Sequence, residues 1–243
     1  MKISKRIRNF VFGGLAIIYA MLLLFPQILF SNTLEYQNFR VYYHSEKTDI
    51  NQIAIILDKS LKLLSSSEVF DPEKEQRIFL CDSFKEFTFF APLSRKSFAV
   101  TYPVTQHIFL SRSTIDINEI KRNGSENNVR MLSGVVAHET THVGLEDELS
   151  FLKYRLLPTW KNEGYCDYIA RGSSYDEKLG WRQICEATDN NDSPSFKYFR
   201  YMTYVQYLLE KEVISFDTFL LKNFNTERVA LDSRKSLCSN YQK

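Results

Sequence analysis

The pattern of apolar and polar positions divides this chain into three stretches. From Phe10 to Phe30 the run FVFGGLAIIYAMLLLFPQILF carries no charge over 21 residues, and about 20 apolar helical residues suffice to cross a bilayer. Residues 31–38 are polar and read as a linker. Beyond them, short aromatic and β-branched runs alternate with amphipathic ones. Phe39–Tyr43 (FRVYY) predicts a strand. Asp49–Leu64 predicts a helix, because Ile53, Ile56, Leu57, Leu61 and Leu64 recur at helical spacing. Arg77–Cys81 predicts a strand, Ser83–Phe90 a short helix, and Ser97–Tyr102 and His107–Ser111 two strands parted by Pro103. Past Asn128 the signal turns helical, with Asn128–Val143, Thr159–Ala170 and Tyr198–Lys211 as the candidates. Gly172 stands where a helix C-cap glycine is expected. A sheet-bearing half followed by a mainly helical half predicts an α+β domain over residues 39–243, with any site at the junction.

The N-terminal run sets an expectation about location. Lys2, Lys5, Arg6 and Arg8 form a basic tail over residues 1–9, with no acid before residue 31. With 10–30 as a transmembrane signal anchor, the positive-inside rule keeps that tail cytoplasmic and sends the domain outward. The domain would then face the periplasm or the cell surface on a single-pass anchor. A cleaved signal peptide is the rival reading. Its apolar stretch is usually about 7–15 residues and ends in a small-x-small site, which Pro26–Asn32 does not offer.

Composition narrows the function classes. Hydrophobic residues make up 44% and charged residues 25%, enough apolar side chain for a core and against disorder. The formal net charge is +2, and setting the four N-terminal cations aside leaves the remainder near neutral. That excludes a basic nucleic-acid footprint. Cys81, Cys166, Cys185 and Cys238 permit two disulfides in three pairings, or act as small buried hydrophobes; CxxC spacing is absent, which gives a cysteine zinc site no support.

The chemistry-bearing pattern is His138-Glu139-Thr140-Thr141-His142, an H-E-x-x-H motif. Residues four apart share a helix face, so both imidazoles can point at one ion, while Glu139 is rotated away toward a water. Met131 and Val135 fall on the same stripe and would anchor the helix in the core. A catalytic zinc takes three protein ligands and keeps a position for water. A second helix opening near Pro158 offers Glu163 as the third ligand, with Asp167 one turn on to hydrogen-bond a ligand histidine.

HETTH followed by W-x-x-E-G-x-x-x-Y from Trp160 resembles the gluzincins, zinc peptidases with two His and one Glu as ligands. The resemblance is close over residues 128–172 and names no subfamily. It implies a zincin-like fold, one Zn2+ held by His138, His142 and Glu163, Glu139 as the general base, and Asp167 beside a ligand histidine. The implied function is a membrane-anchored peptidase hydrolysing extracytoplasmic proteins or peptides with a zinc-activated water. A catalytically silent, zinc-stabilised envelope domain that binds a partner is the alternative. An intramembrane protease is excluded, because the motif is flanked by polar residues 123–130 and by Glu146–Glu148. His44 and His107 lie away from ligand spacing and read as surface or packing residues. His107–Ser111 is where such folds commonly have a substrate-pairing edge strand, and Tyr198, Tyr201 and Tyr204 are candidates for a transition-state donor.

Overall fold

The computed structural model describes residues 5–44, 48–186 and 193–239. Five short segments of extended chain form one sheet: β1 (Asn32–Tyr36), β2 (Phe39–Tyr43), β3 (Gln76–Leu80), β4 (Ala99–Thr101) and β5 (His107–Leu110). Their order is β1-β2-β3-β5-β4, with β2, β3 and β5 parallel and both edges antiparallel. The central strands are buried on both faces, as parallel strands must be when helices cover them. On one face Phe79 and Phe109 pack with Phe87 and Phe90 of α3 (Phe84–Phe90). On the other, Ile78, Leu80, Ile108 and Leu110 meet α2 (Ile50–Leu64) and α4 (Leu132–Leu156). Both short helices start at a capping side chain. Asp49 accepts from the Asn51 amide and Ser83 from the Glu86 amide.

A second sheet of β6 (Ser113–Thr114), β7 (Glu119–Lys121) and β8 (Val129–Met131) delivers the chain to the start of α4. The remainder is helical: α5 (Thr159–Ile169), α6 (Glu177–Glu186), α7 (Pro194–Gln206) running into a π turn, α8 (Phe216–Leu221) and α9 (Thr226–Cys238). The domain is α+β, sheet first and helices after. Helices α5 and α7 touch at Gly164, where a Cβ would come within 2.6 Å of the Tyr201 carbonyl oxygen. A disulfide joins Cys185 of α6 to Cys238 of α9, while Cys81 and Cys166 are buried thiols. Each reading of the cysteines thus applies to one pair.

The N-terminal run corrects an expectation. No helix among the described residues is long and apolar enough to cross a membrane. Helix α1 (Lys5–Leu24) ends at Leu24, and Pro26–Leu29 forms a separate 3-10 turn. Of the apolar run, only Phe10–Leu24 is helical, about 22 Å against a hydrocarbon core of about 30 Å. The end of this helix and the turn after it lie against the domain. The Tyr19 hydroxyl donates to the Phe89 carbonyl at 2.7 Å, Leu23 packs on the aromatic layer, and Phe30 is buried against Phe79 and Phe90. The transmembrane anchor is therefore withdrawn. So are membrane attachment through it and the single-pass placement with a cytoplasmic tail and an extracytoplasmic domain. Residues 1–4 of the expected basic tail lie outside the described residues.

Three smaller differences have local causes. The expected linker contains β1, because pairing with β2, Leu34 opposite Val41, outweighs its polar composition. The metal-motif helix starts at Leu132 rather than Asn128, since Val129–Met131 pairs with β7, and Met131 is exposed while Val135 is buried. His107–Leu110 lies between β3 and β4, so it is an inner strand and the edge on that side of the sheet is β4.

Candidate functional site

The first three turns of α4 are buried throughout, although Ser133, His138, Glu139, Thr140, Thr141 and His142 are polar. Buried polar groups need partners, and the two histidines take theirs at Nδ1. Asp167 Oδ1 accepts from His138 Nδ1 at 2.8 Å, and Asn162 Oδ1 accepts from His142 Nδ1 at 2.9 Å. Both acceptors come from α5. In the neutral ring, a proton held at Nδ1 leaves a lone pair at Nε2, and the two Nε2 atoms face each other at 3.1 Å.

Glu163, on the same helix as Asp167, closes the third side. Its Oε2 lies 3.5 Å from His138 Nε2 and its Oε1 lies 3.9 Å from His142 Nε2. A tetrahedral ion with bonds of about 2.0–2.1 Å separates its ligand atoms by about 3.4 Å, so the spacing suits one cation. The electrostatics agree. Burial alone would lower the His138 pKa, but Asp167 and Glu163 outweigh it and raise it to about 10. Burial likewise works against the Glu163 carboxylate, yet His138 and His142 hold its pKa down to about 2. Asp167 and Glu163 thus favour positive charge on the His138 imidazole, and the two histidines favour the Glu163 carboxylate.

Cys166 was not anticipated as a neighbour. With His138 and His142 it makes a buried group whose ligand atoms lie within 4.8 Å of one another and which could hold a metal ion. Its Sγ, however, stands 3.2 Å from His142 Nδ1, not Nε2. The in-plane lone pairs of the two ring nitrogens diverge, so His142 cannot offer both to one ion. Nδ1 of His142 is already engaged by Asn162, so an ion on the Cys166 side would have to displace that contact. Burial pushes the Cys166 thiol pKa well up, which keeps it protonated.

No protein-family model and no curated protein matches the chain.

Glu139 points into a cleft of about 890 Å3. Thr101, on the edge strand β4, donates to its Oε2 at 2.6 Å. The cleft passes from β4 over His138, Glu139, His142 and Glu163, reaches Arg122 and Arg130, and includes Tyr19 and Leu23 of α1. Of the three candidate tyrosines only Tyr198 lines it; burial, with Glu163 and Asp167 nearby, pushes its pKa up to about 12. Tyr204 is buried and accepts from Arg200, and Tyr201 packs between the other two. His44 and His107 lie elsewhere, stacked on Phe30 and packed on Phe79 respectively.

Several site residues carried no sequence signal. Tyr154 places its hydroxyl 3.2 Å from His142 Nδ1, because α4 kinks at Ser150 (φ 62°) and turns its last residues back toward the site. Arg130 donates to Asp167 Oδ1 at 2.9 Å and to the Gly172 carbonyl at 2.7 Å. The left-handed residue ending α5 is Arg171 rather than Gly172.

Proposed function

We propose that the chain is a zinc-dependent peptidase of gluzincin type, with His138, His142 and Glu163 holding one Zn2+ and Glu139 acting as general base. The observation that carries this reading is the convergence of two Nε2 atoms and a carboxylate at 3.1–3.9 Å, beside a glutamate that faces the cleft. The fold, with a sheet, a motif helix and a second helix bearing the carboxylate, is read as zincin-like on the same grounds. Zinc, when bound, supplies a Lewis acid that polarises a carbonyl and brings the pKa of its water toward about 7.

The protein's own residues supply the rest. Asp167 and Asn162 fix both imidazoles in the tautomer that leaves Nε2 free. Thr101 holds Glu139 by Oε2, so a proton leaving the attacking water is accepted at Oε1 and then passed to the departing amine. Tyr198 lines the same cleft and keeps its phenolic proton at neutral pH, and it is the candidate donor to the developing oxyanion. The exposed edge of β4 offers backbone groups to an extended peptide.

Metal analysis of the purified full chain, paired with digestion of a peptide library, tests the reading. We expect one zinc per chain and metal-dependent cleavage. Glu139→Gln should retain the metal while turnover falls by about 10²–10⁴-fold. A Gln variant with undiminished activity would remove Glu139 from its role. Stoichiometric zinc with no hydrolysis of any peptide would instead indicate a silent, metal-stabilised domain.

A further inference from the structure

We propose that Arg122 binds a carboxylate of the substrate, so that the preferred peptide carries an acidic side chain or its own C-terminal carboxylate two or three residues from the bond that is cut. This names the substrate class of the same cleft and rests on the peptidase reading.

Two guanidiniums, Arg122 and Arg130, lie over the Phe98 ring, 5.1 and 5.9 Å from its centroid. They differ in how their charge is met. Arg130 is paired with Asp167. Arg122 donates from Nη2 to the Glu126 carbonyl and to Ser195 Oγ, both at 3.1 Å and both neutral. Among the described residues no carboxylate pairs with it, and its Nε is buried without a partner. Burial and the nearby Arg130 both lower the Arg122 pKa, as expected where no anion compensates. A half-buried cation with unused donors is costly unless something neutralises it. A carboxylate does so through a charge-assisted hydrogen bond to Nη1, the nitrogen that neither Glu126 nor Ser195 engages. Ser97 and Ser174 line the same cleft, and Ser174 donates to the Ser195 hydroxyl that Arg122 also meets.

The position along the cleft sets the register. Thr101 at one end of β4 holds Glu139, and Phe98, just before the strand, lies under Arg122. Three residues of extended chain span about 10 Å. A peptide lying along β4 with its scissile carbonyl near Glu139 therefore brings a group two or three residues away to Arg122.

The test uses the full chain and paired peptides of identical sequence, Glu against Gln at the positions two and three residues from the cut, and free C-terminal acid against amide. Binding is read by fluorescence anisotropy on zinc-loaded Glu139→Gln protein, and cleavage on the unaltered chain. In one of the pairs the acid member should bind about tenfold or more tighter than the neutral one, and which pair responds separates a side-chain carboxylate from a terminal one. Adding Arg122→Gln should abolish the preference. Arg122→Lys keeps the charge without the fork and should retain only part of it. Equal binding of acid and neutral peptides overturns the proposal, as does an undiminished preference in either Arg122 variant that melts like the parent. Cleavage without any carboxylate preference defeats this inference alone. A carboxylate preference in binding with no cleavage of any peptide defeats the peptidase reading and leaves the Arg122 site standing.

Discussion

Asn162 and Asp167 each hold a histidine by the nitrogen that faces away from the proposed ion, so their removal should loosen metal without removing a ligand. Asn162→Ala and Asp167→Asn are expected to lower zinc affinity by about 10–100-fold, read by competition with a chromogenic chelator. Asp167→Asn should also reduce thermal stability, because it strips Arg130 of its ion-pair partner. A second residue-scale prediction concerns His107, which is buried with its Nδ1 unpartnered. Burial, reinforced by Arg77, lowers its pKa from 6.5 to about 4. The unfolded chain therefore binds the proton first as pH falls. The stability contribution is complete above about pH 6.5 and is lost toward pH 4, on the order of 3 kcal/mol. Urea unfolding at pH 7 and pH 4.5 should show the loss, and His107→Phe should flatten it. At this scale His138, Glu139, His142, Glu163 and Asp167 were legible because one helical period places each on a stated face. Asn162, Tyr154, Thr101 and Arg130 were not, since their value depends on which element lands beside them.

Elements behave in the same way. Strands β2, β3 and β5 and helices α2, α3 and α5 followed from strand-forming composition and the spacing of apolar side chains. β1 and β8 did not, because their pairing partners decided them. Helix α4 was legible in its first half only. Its bend at Ser150 is a local backbone choice in the left-handed region, unusual for serine, and no periodicity announces it. Contact between α5 and α7 depends on Gly164, where a side chain would strike the Tyr201 carbonyl. Gly164→Ala is expected to cost about 1–3 kcal/mol in chemical denaturation. It should also lower zinc affinity, since Glu163 and Asp167 ride on the displaced helix.

Across the molecule, the sheet-first, helix-second order was visible in the change of hydrophobic period near residue 128, but the fate of the apolar N-terminus was not. Length and lack of charge matched a membrane segment, whereas Pro26 and the aromatic layer waiting for Phe30 bend the chain onto the domain. The helical half is tied together by Cys185–Cys238, which closes a segment of 53 residues. Chain-entropy reasoning puts its contribution at about 4 kcal/mol. Reduction or Cys238→Ser should lower the melting temperature, while the zinc stoichiometry of the folded protein stays the same, because neither sulfur lies at the site.

Tyr19 and Leu23 line the cleft, so the opening segment forms part of its wall. A protein trimmed to begin at Ser31 would lose that wall and bare the greasy layer of Phe79, Phe90 and Phe109 beneath it. Such a truncated preparation should clump more readily and accept a broader range of peptides than the intact chain, and specificity measured on it would describe a different entrance.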